Sequence, residues 1–174
     1  MSLTDLLERN ITDVPDFPKP GIVFKDITPL LQNHEAFATL IDHLAERYGD
    51  AGITQVVGVE SRGFIFGAAL ASALGVGLTL VRKPGKLPRK THFVEYDLEY
   101  GTDALHIHAD ALTKDDTVVI IDDVLATGGT AAATSYLVDR CDATIHELCF
   151  LMELSFLDPR AKLHDRRVYS VLTY

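Results

Sequence analysis

The sequence predicts an α/β fold: a central, mostly parallel sheet flanked by helices, in one domain spanning 1–174. Three observations carry this. Near-continuous Val/Ile/Leu runs recur at 55–59, 76–81, 117–121 and 144–151, as expected of strands buried on both faces. Between them lie two Ala-rich stretches of helical length, 63–74 and 129–140, suited to crossover connections. The composition is that of an ordinary globular domain, 174 residues with 47% hydrophobic, 24% charged, 12 Gly and 7 Pro, which excludes disordered and collagen-like classes.

In chain order, Ser2 with Asp5 forms a capping-box pattern that opens a short helix through about Arg9. Residues 15–21 hold three prolines and a glycine, so they predict an ordered loop, an extended arm, and no helix. Asn33 is positioned to cap a helix on which Phe37, Leu40, Ile41, Leu44 and Tyr48 form one apolar face. The alternating strands and helices named above follow. Residues 63–81 contain no charge, yet four glycines and a change of pattern after Gly75 favour a helix, turn and strand over a membrane span. Within 83–116, strands are predicted at 91–96 and 104–108.

Sixteen basic against twenty-five acidic residues give a net charge of −9, which argues against a partner such as nucleic acid, whose phosphates need a basic face. The two cysteines, Cys141 and Cys149, have no zinc or redox spacing and read as buried, reduced thiols of a cytoplasmic protein. The first twenty residues carry Asp5, Glu8, Arg9, Asp13, Asp16 and Lys19, which does not fit a signal peptide. His106 and His108 would share one strand face. They read as a partly exposed surface, with metal binding the less favoured alternative.

In open α/β sheets, ligands gather beyond the carboxyl ends of the strands, so the residues after Val59, Val81 and Ile121 are where chemistry is expected. After Ile121 stands Asp122-Asp123-Val124-Leu125-Ala126-Thr127-Gly128-Gly129-Thr130, running directly into a predicted helix. Small residues and glycines let successive backbone N–H groups converge on an anion, and the helix start adds its positive end. Thr127 and Thr130 add hydroxyl donors. The two carboxylates could hold sugar hydroxyls or a magnesium-bound group. As bare pattern the string could also be a tight turn with a helix cap. Neither a Walker loop nor a dinucleotide fingerprint is present. After Val81, Arg82, Lys83, Lys86, Arg89 and Lys90 place five cations in nine positions, either a polyphosphate site or a solvated loop face.

This string resembles the phosphoribosyl pyrophosphate signature of the type I phosphoribosyltransferases, and other segments are similar to the adenine-using branch of that family. Phe17-Pro18-Lys19-Pro20-Gly21-Ile22-Val23-Phe24-Lys25-Asp26-Ile27 resembles its base-binding hood, and Glu60-Ser61-Arg62-Gly63-Phe64 its pyrophosphate loop. Residues 82–88 and 96–101 resemble the two ends of its mobile catalytic loop. Departures are Glu60 where aspartate is common, Lys25 where arginine is common, and the added Arg89-Lys90.

The resemblance implies the type I phosphoribosyltransferase fold with an N-terminal arm and hood over about 1–30 and a mobile loop over about 83–100. It implies purine salvage, in which adenine and phosphoribosyl pyrophosphate give AMP and pyrophosphate. Ala126, Thr127, Gly128, Gly129 and Thr130 would then hold the 5′-phosphate, and Asp122 and Asp123 the ribose hydroxyls. Ser61, Arg62, Arg82, Lys83 and Lys86 would face the pyrophosphate, while Ile22, Phe24 and Lys25 would form the base site. Glu99 would manage the base proton and Tyr100 would position the closed loop. Mg²⁺ would enter mainly with the substrate, possible neighbours being Asp122 and Asp123, and the protein would be a homodimer acting on small molecules with no membrane partner. The alternatives are a 6-oxopurine enzyme of the same family and a phosphoribosyl pyrophosphate-sensing regulator.

Overall fold

The computed structural model describes residues 2–98 and 101–174, and the chain divides into two compact units, 1–47 and 48–174. The first opens with α1 (Leu3–Glu8). Its capping box is formed: Ser2 Oγ accepts from the Asp5 amide, and Asp5 Oδ2 accepts from the Ser2 amide, both at 3.1 Å. What the sequence predicts as an extended arm at 15–21 is instead the turn of a hairpin. Strand β1 (Thr12–Pro15) pairs antiparallel with β2 (Val23–Asp26). Asp16, at φ 57°, makes the corner. Its Oδ1 accepts from the Gly21 amide at 2.7 Å, and the Phe17 amide donates to the Ile22 carbonyl at 3.2 Å. The prolines therefore shape a turn between strands.

Next come α2 (Thr28–Gln32) and α3 (His34–Tyr48). Asn33 caps α3 as expected, its Oδ1 accepting from the Ala36 amide at 3.2 Å. On the predicted apolar face Leu40, Ile41, Leu44 and Tyr48 are buried, while Phe37 is only half-buried.

The second unit is built on a five-stranded parallel sheet in the order β4-β3-β7-β8-β9. Its strands are β3 (Gln55–Val59), β4 (Gly77–Val81), β7 (Thr117–Leu125), β8 (Thr144–Glu153) and β9 (Val168–Thr173). The crossover helices are α4 (Gly63–Leu74) and α5 (Gly129–Asp139). Val56, Val57, Val118, Val119, Ile120 and Leu148 are wholly buried, as strands covered on both faces require. The uncharged run 63–81 resolves into α4, a turn at Gly75 and β4. Among the described residues no helix is long and apolar enough to cross a membrane. Both cysteines are buried, and neither is in a disulfide.

Strands β5 (Thr91–Leu98) and β6 (Gly101–His108) form a separate antiparallel pair. The strand predicted at 91–96 is present as β5, each residue of which from Thr91 to Leu98 finds a partner on β6, within the span that resembles a mobile loop. The irregular part is 83–90. His106 contacts Thr91 and stacks on Phe93, whereas His108 contacts Arg89.

Candidate active site

Strands β3, β4 and β7 are parallel, so the segments after Val59, Val81 and the β7 end meet at one edge of the sheet. The Glu60 amide donates to the Val81 carbonyl at 2.9 Å. Here one expectation is corrected: Asp122 and Asp123 lie inside β7 and do not follow its end. Pairing of β7 with β3 stops at Gly58↔Ile121, while β8 continues beside β7 to Leu125↔Glu153. The acidic pair therefore sits on the overhang, extended by β8 but past the end of β3.

Beyond Leu125 the chain bends through 126–128 and enters α5 with no side-chain cap on the helix start. The first amides of a helix lack intrahelical acceptors, and uncapped they remain available to an anion. Asp122, Leu125, Ala126, Thr127, Gly128 and Thr130, with Phe150, line a hollow of about 80 Å³. At about 30 Å³ per water that is room for two or three waters, and so for one tetrahedral oxyanion. Gly128 has φ 82°, and a Cβ there would fall 2.4 Å from the Pro159 carbonyl oxygen, so only glycine fits the turn. That carbonyl belongs to a 3₁₀ turn, Pro159–Lys162, fixed by Arg160, which donates from Nε and Nη2 to the two Glu153 oxygens at 2.8 Å each. Salt-bridged Glu153 is held below the usual carboxylate range, chiefly by Arg160.

The acidic pair is electrostatically loaded. Asp123 is 4% exposed, and Arg62 Nε stands 2.6 Å from its Oδ2. That oxygen accepts no hydrogen bond among the described residues, so the contact pairs charges without the alignment of a hydrogen bond. Burial first, and then the charge of Asp123, push the Asp122 carboxyl well above its usual range. At Gly63, where α4 begins, a Cβ would lie 2.8 Å from the Ile121 carbonyl and 2.9 Å from Asp122 Oδ1. Glycine thus lets the 60–64 loop close onto the acidic strand. Ser61 in that loop is exposed, and the Glu60-Ser61 peptide is cis.

The five cations do not face one site. Glu60 Oε2 accepts from the Lys83 amide at 2.8 Å and from Arg82 Nε at 3.3 Å. The Lys83 amide is the main reason the Glu60 carboxyl sits below its usual range, and Lys86 contributes by its charge. Arg82 also lies over the Phe64 ring at 5.8 Å, within cation–π range, and donates to the Lys86 carbonyl at 3.3 Å. The Lys83 ammonium pairs with Asp103, and Arg89 pairs with Asp110. Arg89 is therefore engaged with the turn after β6. Three of the five cations thus already have carboxylate partners. Lys86 and Lys90 are exposed.

Glu60, Phe64 and Asp103 thus brace the cations, and the sequence alone assigned none of them that role. Their sequence separation from the cations hides them. Ile22, Phe24 and Lys25 lie in the first unit, where Phe17 and Phe24 pack edge to face at 5.2 Å and Lys25 pairs with Asp13 at 2.6 Å. Ile22 is 43% and Phe17 51% exposed, apolar surface available to a planar ligand. Glu99 and Tyr100 lie outside the described residues.

Residues 28–173 match the phosphoribosyl transferase domain family. The chain belongs to this family. It is 56% identical over 170 residues, 98% of the chain and 99% of the relative, to an adenine phosphoribosyltransferase of Geobacter metallireducens. A structure of the adenine phosphoribosyltransferase of Thermoanaerobacter pseudethanolicus superposes with TM-score 0.95 at 47% identity, covering 99% of this chain and 100% of that one. The Saccharomyces cerevisiae enzyme, complexed with adenine and an imino-altritol bisphosphate, matches with TM-score 0.93 at 42% identity over 98% of each chain. The five-stranded parallel sheet flanked by helices is the type I phosphoribosyltransferase fold.

Proposed function

We propose that this chain is an adenine phosphoribosyltransferase, transferring the phosphoribosyl group of phosphoribosyl pyrophosphate to adenine to give AMP and pyrophosphate in purine salvage. One observation carries the reading: an uncapped helix start with an anion-sized hollow, placed beside an acidic pair of which Asp123 is buried and Asp122 half-buried, in a chain of this family. The bond formed joins the imidazole nitrogen of adenine to the anomeric carbon. The bond broken joins that carbon to the pyrophosphate oxygen, and the base gives up its ring proton. Positive charge develops on the sugar, so fixed charge and orientation supply the acceleration.

The amides and hydroxyls of 126–130 hold the 5′-phosphate. Asp122 and Asp123 accept from the ribose hydroxyls, and the buried Asp123 Oδ2, ion-paired with Arg62 but accepting no hydrogen bond among the described residues, is suited to receive such a donor. Ser61, Arg62, Arg82, Lys83 and Lys86 face the leaving pyrophosphate, with Glu60 keeping Arg82 and Lys83 in place. Phe24 stacks on the base beside Ile22, Lys25 serves the base site, and Glu99 takes its proton while Tyr100 orders the closed loop. Mg²⁺ would enter mainly with the substrate, with Asp122 and Asp123 as the carboxylates that would hold it, and would neutralise charge on the leaving group. The protein is read as a cytoplasmic homodimer without nucleic-acid or membrane partners.

The test is formation of nucleotide from adenine, hypoxanthine and guanine at equal concentration, with and without magnesium. Adenine is expected to be preferred by about 10³-fold in kcat/KM, because a site built to accept from an amino group rejects a carbonyl strongly. Comparable rates with a 6-oxo base would overturn the choice of substrate, and no product with any base would overturn the reaction.

A further inference from the structure

Strand β5 alternates Val94 and Tyr96 inward with Phe93, Glu95 and Asp97 outward, and Val94 and Tyr96 pack on the core of the second unit. At Tyr96 this brings an aromatic ring against the first residue of α5: a Cβ at Gly129 would meet Tyr96 Cδ2 at 3.5 Å. The Tyr96 hydroxyl then lies 3.2 Å from Thr130 Oγ1 and 3.4 Å from Asp103 Oδ2. Asp103 is otherwise well supplied. Its Oδ1 accepts from the Ala104 amide at 2.8 Å, and its Oδ2 carries the Lys83 ammonium. Burial alone would raise this carboxyl, but the Lys83 hydrogen bond and the Ala104 amide hold it below the usual range, so it can only accept.

The donor sense along this chain follows. With the nest empty, Tyr96 donates to Asp103 and its oxygen accepts from Thr130. A bound phosphate also only accepts, so the Thr130 hydroxyl turns its hydrogen to the phosphate. Tyr96 then turns its own hydrogen to Thr130 Oγ1, and Asp103 loses only its longest contact while keeping Lys83 and Ala104. Two O–H rotations accomplish this with no heavy atom displaced. From this we infer that Tyr96 is a positioning residue for the phosphate site, fixing the Thr130 side chain so that its hydroxyl can donate to the 5′-phosphate. The inference rests on the proposed function, since it needs a phosphate in that nest.

A double-mutant cycle tests it. Tyr96→Phe removes one oxygen from a half-buried ring and keeps the packing on Gly129. AMP affinity by calorimetry and the KM for phosphoribosyl pyrophosphate are measured for the wild type, Tyr96→Phe, Thr130→Ala and the double variant. Tyr96→Phe is expected to weaken both by about fivefold, the scale of one neutral hydrogen bond, with kcat within twofold. Added to Thr130→Ala it is expected to cost nothing more. A full second loss in the double variant, or a fall in kcat with KM unchanged, would assign Tyr96 a merely structural role and overturn the inference. If the wild type forms no AMP, the functional reading fails and the inference with it; if it does and Tyr96→Phe matches it, the inference alone fails.

Discussion

Residues 126–130 and residues 82–90 each follow a parallel strand, and each offers positive potential to an anion, but they are built differently. The first uses backbone amides, a helix end and one glycine wedged against Pro159. Its geometry is set by the chain itself, and only the rim is side chain. The second uses Lys and Arg side chains, three of which are held by carboxylates drawn from the turn after β3, from β6 and from the turn after β6. A backbone site is rigid and tolerates no change of shape. A side-chain site is adjustable, and its loss is graded by how deeply each partner is buried.

That contrast orders the expected effects of substitution. Gly128→Val is expected to be the most damaging. It places a branched side chain at φ 82° and into the Pro159 carbonyl, and a displacement of about 1 Å in a positioning element costs about 10²-fold. Turnover should fall by at least that much, with a lowered melting temperature. An active Gly128→Val enzyme would mean that the backbone nest does not hold the substrate.

Replacing both Asp122 and Asp123 with Asn keeps the shape of the overhang and removes its charge. Turnover is expected to fall by about 10²-fold, the scale of a lost positioned electrostatic group, while stability is not reduced. The single Asp122→Asn variant adds a pH signature. A carboxyl raised in the folded state binds its proton more tightly there than in the unfolded chain, so the wild type loses stability as pH rises from the ordinary carboxylate range through the raised value. The variant has no such loss. Its melting temperature should match the wild type near pH 4 and exceed it at pH 7, by about 2–4 °C for each kcal/mol relieved. An equal difference at both values would show that Asp122 is not the strained group.

Glu60→Ala tests the side-chain region. It frees Arg82 and the Lys83 amide, and is expected to raise the KM for phosphoribosyl pyrophosphate about tenfold, or ~1.4 kcal/mol, with kcat within threefold. Asp110→Asn should do least. Its pair with Arg89 is 58% and 67% exposed, and exposed pairs contribute about 0–1 kcal/mol, so activity should change less than twofold. A larger loss would mean that Arg89 reaches the substrate after all.

The same division explains what could be read in the sequence. Strand β3 and helix α4 fall where the aliphatic run and the Ala-rich stretch place them, and the nest is legible because its parts are contiguous. Strand β7 is longer than predicted because β8 pairs with it past the end of β3, and the charged Asp122-Asp123 masked that continuation. Strand β9 has only Leu172 deeply buried and follows a charged segment, so no aliphatic run marks it. The β1–β2 hairpin was hidden by its prolines, and α2 is too short for periodicity. Glu60, Asp103 and Asp110 stand about twenty residues from their cations, and no spacing rule connects them. Tyr96 was missed for the same reason, since its partner Thr130 is reached only through the β5–β6 pair.

On this reading the phosphate of the nucleotide sits on the backbone nest and not on the cationic segment. The most direct measurement is a crystal structure of the wild-type protein with AMP. Phosphate oxygens are expected within about 2.7–3.2 Å of amide nitrogens in 127–130 and of the Thr130 hydroxyl, with the ribose hydroxyls against Asp122 and Asp123. A phosphate held instead by Arg82, Lys83 or Lys86, with the nest containing only water, would contradict it.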